Sequence, residues 1–286
     1  MAFGKRRNRI DRSLRERGVP PDPQHKEREV VETSGPWDVA DAPDDGVTRV
    51  LIDRPPVNAM DEAAYLGLRD CFEELAFDGP TRAIVLCAAG DRAFVAGTDV
   101  RDFGNQHQDD PGWAGRHARK AHSAFHAIFR CTKPVIAAVR AATLGSGIGI
   151  VASCDAVLAS PGATFGLPEI NVGVLGGANF LMRLVSPQQA RIMQYTGRRL
   201  TAVEMAPYGA VHVVDEPEEA ALALAGEIAA KSPIAIKLAK EGFNHLELGR
   251  LSLFEGYTYE QSLTERLSTT KEANEASSAF LANRSS

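Results

Sequence analysis

The chain has 286 residues, a hydrophobic fraction of 44% and a formal net charge of −5 at pH 7. A chain of this length can bury one sizeable core with a helical appendage. The acidic balance argues against a general nucleic-acid binder, and no apolar run reaches the length of a transmembrane helix. We therefore expect a cytoplasmic protein that binds neither nucleic acid nor membrane.

The first 45 residues differ in composition from the rest. Residues 1–17 are rich in arginine, a Gly-Val-Pro-Pro stretch follows, and residues 35–45 are acidic and rich in turn formers. Such a segment cannot bury enough apolar surface to fold alone, which predicts a disordered arm over residues 1–45. Organelle targeting and nucleic-acid binding are weaker alternatives, because acidic residues interrupt the basic start and no aromatic residues alternate with the arginines.

The pattern of apolar residues from residue 46 onwards predicts alternating strands and helices. Asp61 is a plausible N-cap for the first helix. A polar loop is expected over Gln106–Gly112, which either shapes substrate entry or is plain surface. The predicted elements up to residue 139 are strands at Val47–Ile52, Arg82–Cys87 and Pro134–Val139, and helices at Asp61–Phe77 and Ala114–Arg130.

The stretch from Ala141 to Gly177 carries the strongest chemical signal. Glycines from Gly145 onwards open a short apolar helix, the strand Ala156–Ala159 follows, and Glu169 then stands in an apolar loop. Free N–H groups at a helix start suit a developing oxyanion. A carboxylate in an apolar pocket has a raised pKa, which suits an acid or base. The alternative is that the glycines serve packing and Glu169 is solvated.

After residue 186 the chain becomes mainly helical, with Thr201 as a predicted cap. One more strand is expected at Val211–Val214. The predicted helices are Gln188–Tyr195, Ala202–Tyr208, Glu218–Lys231, Pro233–Leu248, Leu251–Thr264 and Lys271–Asn283. The four cysteines lie in apolar or helical runs without metal-ligand spacing, so we expect buried, reduced thiols and no metal site: Cys71, Cys87, Cys131 and Cys154.

A second motif, Ala93-Phe94-Val95-Ala96-Gly97-Thr98-Asp99-Val100, precedes the central stretch. Together the two motifs resemble the paired signatures of the crotonase superfamily, the enoyl-CoA hydratase/isomerase family. Further similarity lies in Arg54–Ala59, Lys133–Val139 and Ala279–Leu281, so the resemblance runs from Gly46 to Arg284. It implies an α/β fold: a spiral of ββα turns over residues 46–200, and a C-terminal helical region over residues 201–286 that assembles a homotrimer or hexamer. The alternative is that this region is the helical cap of a monomer.

The resemblance also implies the site. The backbone N–H groups of Thr98 and Ser146 would form the oxyanion hole for an acyl-CoA thioester, with Glu169 as the catalytic acid/base. The hydroxyls of Thr98 and Ser146 either add donors or only narrow the pocket. No cofactor beyond coenzyme A in the substrate is implied. The residues expected to line the thioester and coenzyme A are Pro56, Asn58, Ala96, Gly97, Gly145, Gly149 and Gly177.

One departure from the family pattern bears on the reaction. The hydratases of the family use two glutamates, and the first of these positions is Gly149 here. A single carboxylate can move a proton between carbons, whereas water addition divides its proton transfers between two. We expect an enoyl-CoA hydratase/isomerase type of enzyme of a single-glutamate subtype. The alternatives are a ring-opening hydrolase, a hydratase–lyase, or a catalytically silent scaffold or RNA-binding relative.

Other side chains carry weaker hypotheses. His122 and His126 lie one helical turn apart, and we expect a surface or packing role because no third metal ligand is near. Tyr257 and Tyr259 could donate hydrogen bonds to a neighbouring pocket, although packing is commoner for tyrosines on such helices. Three basic residues are candidates for contacts with coenzyme A phosphates, or plain surface residues: Arg54, Lys240 and Lys271.

Overall fold

The computed structural model describes residues 30–32, 37–40, 45–99, 113–172 and 174–249, and the single positions 259, 262, 266, 270, 271 and 275. The strands are β1 (Val30–Glu32), β2 (Trp37–Ala40), β3 (Val47–Ile52), β4 (Ala83–Ala88), β5 (Ala93–Val95), β6 (Val135–Val139), β7 (Ala142–Leu144), β8 (Ala156–Ala159), β9 (Thr164–Gly166), β10 (Arg199–Thr201) and β11 (Val211–Val213). The helices are α1 (Glu62–Phe77), α2 (Trp113–Arg130), α3 (Ser146–Ala152), α4 (Ala178–Leu181), α5 (Pro187–Thr196), α6 (Ala202–Met205), α7 (Pro217–Ala229) and α8 (Pro233–Gly249).

Two sheets organise these elements. The larger sheet has the order β1-β2-β3-β4-β6-β8-β11 and the smaller one has the order β10-β9-β7-β5. From β3 onwards the larger sheet is parallel. Each of the pairs β4–β5, β6–β7 and β8–β9 gives its first strand to the larger sheet and its second to the smaller one. The chain therefore winds as the spiral of ββα turns that the resemblance implies.

The larger sheet is covered on both faces, which explains the continuous apolar run of β4. Every residue of β4 is buried. Ile84 and Leu86 belong to the main core with α1, α2 and α3, whereas Val85 and Cys87 pack in a second core against alanines of α7. Successive side chains of a strand point to opposite faces, so a strand buried on both faces loses the usual apolar–polar alternation.

Local signals set several helix boundaries as the sequence predicts. The side chain of Asp61 accepts a hydrogen bond from the backbone N–H of Ala64 and caps α1. Thr201 and Glu204 form a capping box at the start of α6. Such reciprocal bonds satisfy N–H groups that have no partner within the helix. Most predicted elements in the described part of the chain begin and end within one or two residues of the observed ones.

The arm departs from the expectation of disorder over residues 1–45. The strands β1 and β2 lie inside it, and β2 pairs antiparallel with β3. They extend the edge of a preformed sheet through backbone hydrogen bonds, which need no apolar core of their own. The remaining predictions for residues 1–29 lie outside the described residues, as do those for Gln106–Gly112 and for most of the last two predicted helices.

The C-terminal region is tied closely to the core. The strand β11 pairs with β8 of the larger sheet, and the helix α7 packs against that sheet. Both lie beyond residue 200, the expected boundary of the spiral core. The ammonium group of Lys240 in α8 donates hydrogen bonds to the carbonyl of Lys133 (2.9 Å) and to the carboxylate of Asp155 (2.7 Å). Lys240 is only 6% exposed. It anchors α8, so the hypothesis that it contacts a coenzyme A phosphate is wrong.

All four cysteine thiols are free and buried, as the sequence predicts. Burial raises the pKa of the Cys71 and Cys87 thiols to about 12, so they stay protonated near neutral pH. His122 and His126 stack on the exposed face of α2. Within the described ranges no group of three metal-ligating side chains occurs, and no helix has the length and apolarity needed to cross a membrane.

Candidate active site

The two glycine turns meet at one end of the smaller sheet. The strands β5 and β7 pair in parallel, so the turns that follow them lie side by side. A Cβ atom built on Gly145 would lie 3.4 Å from the Cα atom of Gly97. Gly97 has φ 111° and Gly145 has φ 54°, both in the region that favours glycine. Glycine is thus required where the two turns approach each other.

The Thr98 N–H group takes no part in the bridge that holds this segment. Met60 and Thr98 form a parallel bridge, in which Met60 donates to the Gly97 carbonyl and Asp99 donates to the Met60 carbonyl, both at 2.9 Å. Successive N–H groups of an extended segment point to opposite sides, so the Thr98 N–H points away from Met60. Among the described residues it has no backbone acceptor.

Ser146 supplies a second N–H group from the adjacent turn. It is the first residue of α3, where N–H groups have no partner within the helix. The Gly145 N–H beside it is used by the Gly166 carbonyl at 3.0 Å, and no backbone acceptor in the described ranges takes the Ser146 N–H. Two N–H groups on abutting turns can hold one carbonyl oxygen, which is the arrangement of an oxyanion hole.

Glu169 lies beside this pair of turns. It belongs to the 3₁₀ helix Pro168–Val172, which follows β9, the neighbour of β7. Its Oε2 atom is 3.5 Å from the position of a Cβ atom on Gly145. That oxygen is buried and has no hydrogen-bond partner among the described residues. Burial raises the pKa of Glu169 above its ordinary value, and its own backbone N–H offsets part of the effect.

The space beside Gly149 is filled by an aromatic ring. A Cβ atom built on Gly149 would lie 2.5 Å from Cε2 of Phe125, a residue of α2 that is 8% exposed. The same ring meets Tyr65 and Phe180 edge to face, with centroids 6.2 Å and 5.1 Å away. Position 149 therefore packs against the core instead of facing a ligand, and a second carboxylate would not fit there without moving Phe125.

The two hydroxyls of the predicted oxyanion hole have different surroundings. The Thr98 hydroxyl is hydrogen-bonded to the Tyr65 hydroxyl at 2.8 Å. The Ser146 hydroxyl is buried without a partner in the described part of the chain. Tyr65 and Phe125 have no distinguishing signal in the sequence, because both follow the ordinary helical spacing of core residues.

The remaining predicted contacts differ in what they can offer. Gly177, with φ 73°, packs next to the Gly145 carbonyl and so joins the site. The Ala96 N–H donates to the Val57 carbonyl at 3.2 Å, which places the Pro56–Asn58 turn beside the glycine turns. The side chain of Asn58 is 3% exposed and bonded to the backbone of Arg54, Ala89 and Ala93. A ligand can therefore meet Asn58 only through its backbone.

The other candidate side chains are engaged elsewhere. The guanidinium of Arg54 forms a bidentate pair with Asp61. The ammonium of Lys271 lies 3.4 Å from Glu275 on an exposed surface. Tyr259 donates to Glu241 at 3.3 Å and stacks on His245 of α8. Tyr257 lies outside the described residues.

Comparisons with known proteins identify the family of this chain. The profile of the enoyl-CoA hydratase/isomerase family matches residues 43–286. A protein of Mycobacterium tuberculosis named (7aS)-7a-methyl-1,5-dioxo-2,3,5,6,7,7a-hexahydro-1H-indene-carboxyl-CoA hydrolase is 37% identical over 84% of this chain and 96% of its own length. The short-chain-enoyl-CoA hydratase of Clostridium acetobutylicum is 33% identical over 69% of this chain and 77% of its own.

The fold is similar to that of solved structures as well. The crystal structure of an enoyl-CoA hydratase from Mycobacterium smegmatis superimposes with a TM-score of 0.81 at 28% identity, over 87% of this chain and 97% of that chain. The expected fold class, an α/β crotonase fold with parallel sheets and C-terminal helices, is thereby confirmed. The chain belongs to the enoyl-CoA hydratase/isomerase family of the crotonase superfamily.

Proposed function

We propose that this chain is a hydrolase that opens the ring of a cyclic keto acyl-CoA, with Glu169 as its one acid/base. The observation that carries the proposal is the Phe125 ring, which fills the space where a second carboxylate would stand at position 149. The similarity to an indene-carboxyl-CoA hydrolase supports the same reaction class. This reaction replaces hydration and isomerisation, the first expectation from sequence, as the preferred activity.

Binding would direct the thioester carbonyl to the N–H groups of Thr98 and Ser146. Two donors that point at the carbonyl oxygen stabilise negative charge there, and removing one donor from such a hole costs about 10²–10³ in kcat in known enzymes. The adjacent carbon then accepts an electron pair more readily, because the pair becomes a thioester enolate. No metal or redox cofactor enters this step.

The hydrolytic step balances with a single carboxylate. Glu169 removes a proton from a water molecule, and the water oxygen bonds to the ring ketone. The bond between the ketone carbon and the carbon next to the thioester breaks, and its electron pair becomes the thioester enolate. Glu169 then returns the proton to that carbon. The ketone carbon becomes a carboxylic acid group of the same, now ring-opened, molecule, and the thioester remains intact.

The surroundings of Glu169 suit this cycle. Burial raises its pKa, which makes it a stronger base than an exposed glutamate when ionised and a usable acid when protonated. Hydration of a simple enoyl-CoA divides its proton transfers between two carboxylates in the family's hydratases. The filled space beside Gly149 removes one of these positions.

A double-bond isomerase is the second candidate, because isomerisation also needs only one carboxylate to move a proton between carbons. A substrate without a ring ketone would favour this reaction. The buried oxygen of Glu169 and the N–H groups of Thr98 and Ser146 have no partners among the described residues, which argues against a silent scaffold, because burying a carboxylate is costly.

The test is product analysis over a panel of thioesters. Natural protein is incubated with crotonyl-CoA, a 3-enoyl-CoA, 2-oxocyclohexane-carboxyl-CoA and the bicyclic indene-carboxyl-CoA. We expect one cyclic keto thioester to gain the mass of one water with coenzyme A still attached. Release of the free thiol would indicate thioester hydrolysis instead. Efficient hydration of crotonyl-CoA, near about 10⁷–10⁸ M⁻¹s⁻¹ in kcat/KM, would contradict the proposal.

A matched pair of variants assigns the base. Glu169→Gln keeps the shape of the side chain and loses its basicity, so ring opening should fall by at least about 10²-fold while the thioester still binds. Glu204→Gln changes an exposed glutamate of α6 and should leave the rate unchanged. Equal rates in both variants would show that Glu169 is not the base.

A further inference from the structure

Tyr65 lies behind the predicted oxyanion hole and is fully buried in α1. Its hydroxyl is 2.8 Å from the Thr98 hydroxyl. Its ring meets His117 and Phe125 of α2 edge to face, with centroids 5.5 Å and 6.2 Å away. These ring contacts fix the direction of the Tyr65 hydroxyl, because edge-to-face packing on two sides leaves the ring one favourable orientation.

Thr98 is thus held at two points. The Met60 bridge holds its backbone from one side through the Gly97 carbonyl and the Asp99 N–H. The hydroxyl of Tyr65 holds the Thr98 side chain. Because both its backbone and its side chain are held, the Thr98 peptide cannot rotate without breaking a buried hydrogen bond. Breaking such a bond costs more free energy inside a protein than in water.

We propose that Tyr65 is a positioning residue that aims the Thr98 N–H at the thioester carbonyl. Through Tyr65, the orientation of this donor depends on the packing of α1 against α2. The inference rests on the proposed thioester chemistry of this site. Tyr65 would act through its hydrogen bond to Thr98. Its effect is to keep a donor aligned, and a donor displaced by about 1 Å can cost on the order of 10²-fold in rate.

The same contacts link the hole to the filled position 149. The ring of Phe125 packs against both Gly149 and Tyr65. The aromatic residue that excludes a second carboxylate therefore also holds the residue that orients Thr98. A change at Phe125 is expected to disturb the oxyanion hole as well as the space beside Gly149.

The experiment measures the strength of the hole without using Glu169. Butyryl-CoA labelled with ¹³C at its carbonyl is bound to the protein, and isotope-edited infrared spectroscopy gives the shift of its carbonyl stretch on binding. Hydrogen bonds to that oxygen lower the stretching frequency. We compare natural protein with Tyr65→Phe, Thr98→Val and the double variant. Tyr208→Phe is the control, because its hydroxyl bonds the exposed side chain of Gln189 and not Thr98.

The proposal predicts a lowered frequency in natural protein and in Tyr208→Phe. It predicts a smaller shift in Tyr65→Phe and Thr98→Val, with no further loss in the double variant, because both single changes break the same hydrogen bond. Exchange of the butyryl α-protons in D₂O should fall about tenfold in Tyr65→Phe while the dissociation constant of the thioester changes by less than about twofold.

Three results would overturn the inference: no carbonyl shift in natural protein, an unchanged shift in Tyr65→Phe, or additive losses in the double variant. Failure of the proposed function is a separate outcome. It would appear as undiminished α-proton exchange in Glu169→Gln, which would leave the carbonyl shifts and their dependence on Tyr65 intact. Circular dichroism and Tm of Tyr65→Phe show whether the variant is folded. A smaller carbonyl-stretch shift in a folded variant supports the positioning role of Tyr65.

Discussion

Because Phe125 packs against Gly149, we expect glycine-to-alanine changes at two helical positions to change stability in opposite directions. Both Gly149 in α3 and Gly226 in α7 are helical, and replacing a helical glycine by alanine ordinarily stabilises by about 0.5–1 kcal/mol. A Cβ atom on Gly226 meets nothing within 4 Å, whereas one on Gly149 lies 2.5 Å, 2.6 Å and 2.9 Å from three ring carbons of Phe125. Real Cβ atoms do not approach so closely, so the ring must move.

Moving a ring that is itself packed against Tyr65 and Phe180 costs roughly 1–3 kcal/mol, as in other overpacked cores. We therefore expect Gly149→Ala to lower Tm and Gly226→Ala to raise it slightly. Each kcal/mol shifts Tm by about 2–4 °C in a chain of this size. Calorimetry at one fixed protein concentration is the assay, because assembly would make Tm depend on concentration.

A suppressor variant tests the cause. Phe125→Leu shortens the obstructing side chain, so it should cost less stability in the Gly149→Ala background than in natural protein, with a coupling free energy of at least about 0.5 kcal/mol. An unfolding free energy of Gly149→Ala within about 0.5 kcal/mol of that of natural protein would contradict this steric explanation, and so would additive effects of the two changes on the unfolding free energy. Either result would mean that position 149 has free space.

Further predictions concern charge and the arm. Because burial raises the folded-state pKa of Glu169 above 4.5, stability is lost as pH rises through that raised value, so Glu169→Gln should exceed natural protein in Tm near pH 8 and match it below about pH 4. Lys240→Met should lower the free energy of unfolding, measured by urea denaturation, by roughly 3 kcal/mol, because it leaves Asp155 without its buried partner. Lys271→Met, the control on an exposed surface, should lower it by under about 0.5 kcal/mol. Similar losses in the two variants would contradict the anchoring role of Lys240. Deleting residues 1–29 should leave Tm unchanged, and deleting residues 1–44 should lower Tm and solubility by exposing the edge of β3; equal behaviour would show that the added strands contribute nothing.

Much of the fold follows from local sequence signals. The alternating or continuous apolar runs of β3, β4 and β6, and the caps at Asp61 and Thr201, depend on residues close together in the chain. The pairing of β2 with β3 was not predictable in this way. It depends on an available sheet edge, which is a property of the folded core and not of the polar arm.

The candidate site divides along the same line. The glycine turns and Glu169 stand out because their chemistry is unusual in an apolar stretch. Tyr65 and Phe125 look like any core residue of an amphipathic helix, and only the packing of α1 and α2 brings them to Thr98 and Gly149. Asn58 is the converse case. The resemblance implied a ligand contact for it, whereas its side chain is bonded to the backbone of Arg54 and Ala93.

We propose above that Glu169 alone moves protons next to a thioester carbonyl held by two backbone N–H groups. Its most direct test is exchange of the α-protons of butyryl-CoA in D₂O, followed by NMR, since exchange needs only the hole and the base and is independent of the natural acyl group. We expect exchange by natural protein and a loss of at least about 10²-fold in the exchange rate of Glu169→Gln, with the thioester still bound. Exchange at the natural rate in Glu169→Gln would contradict it.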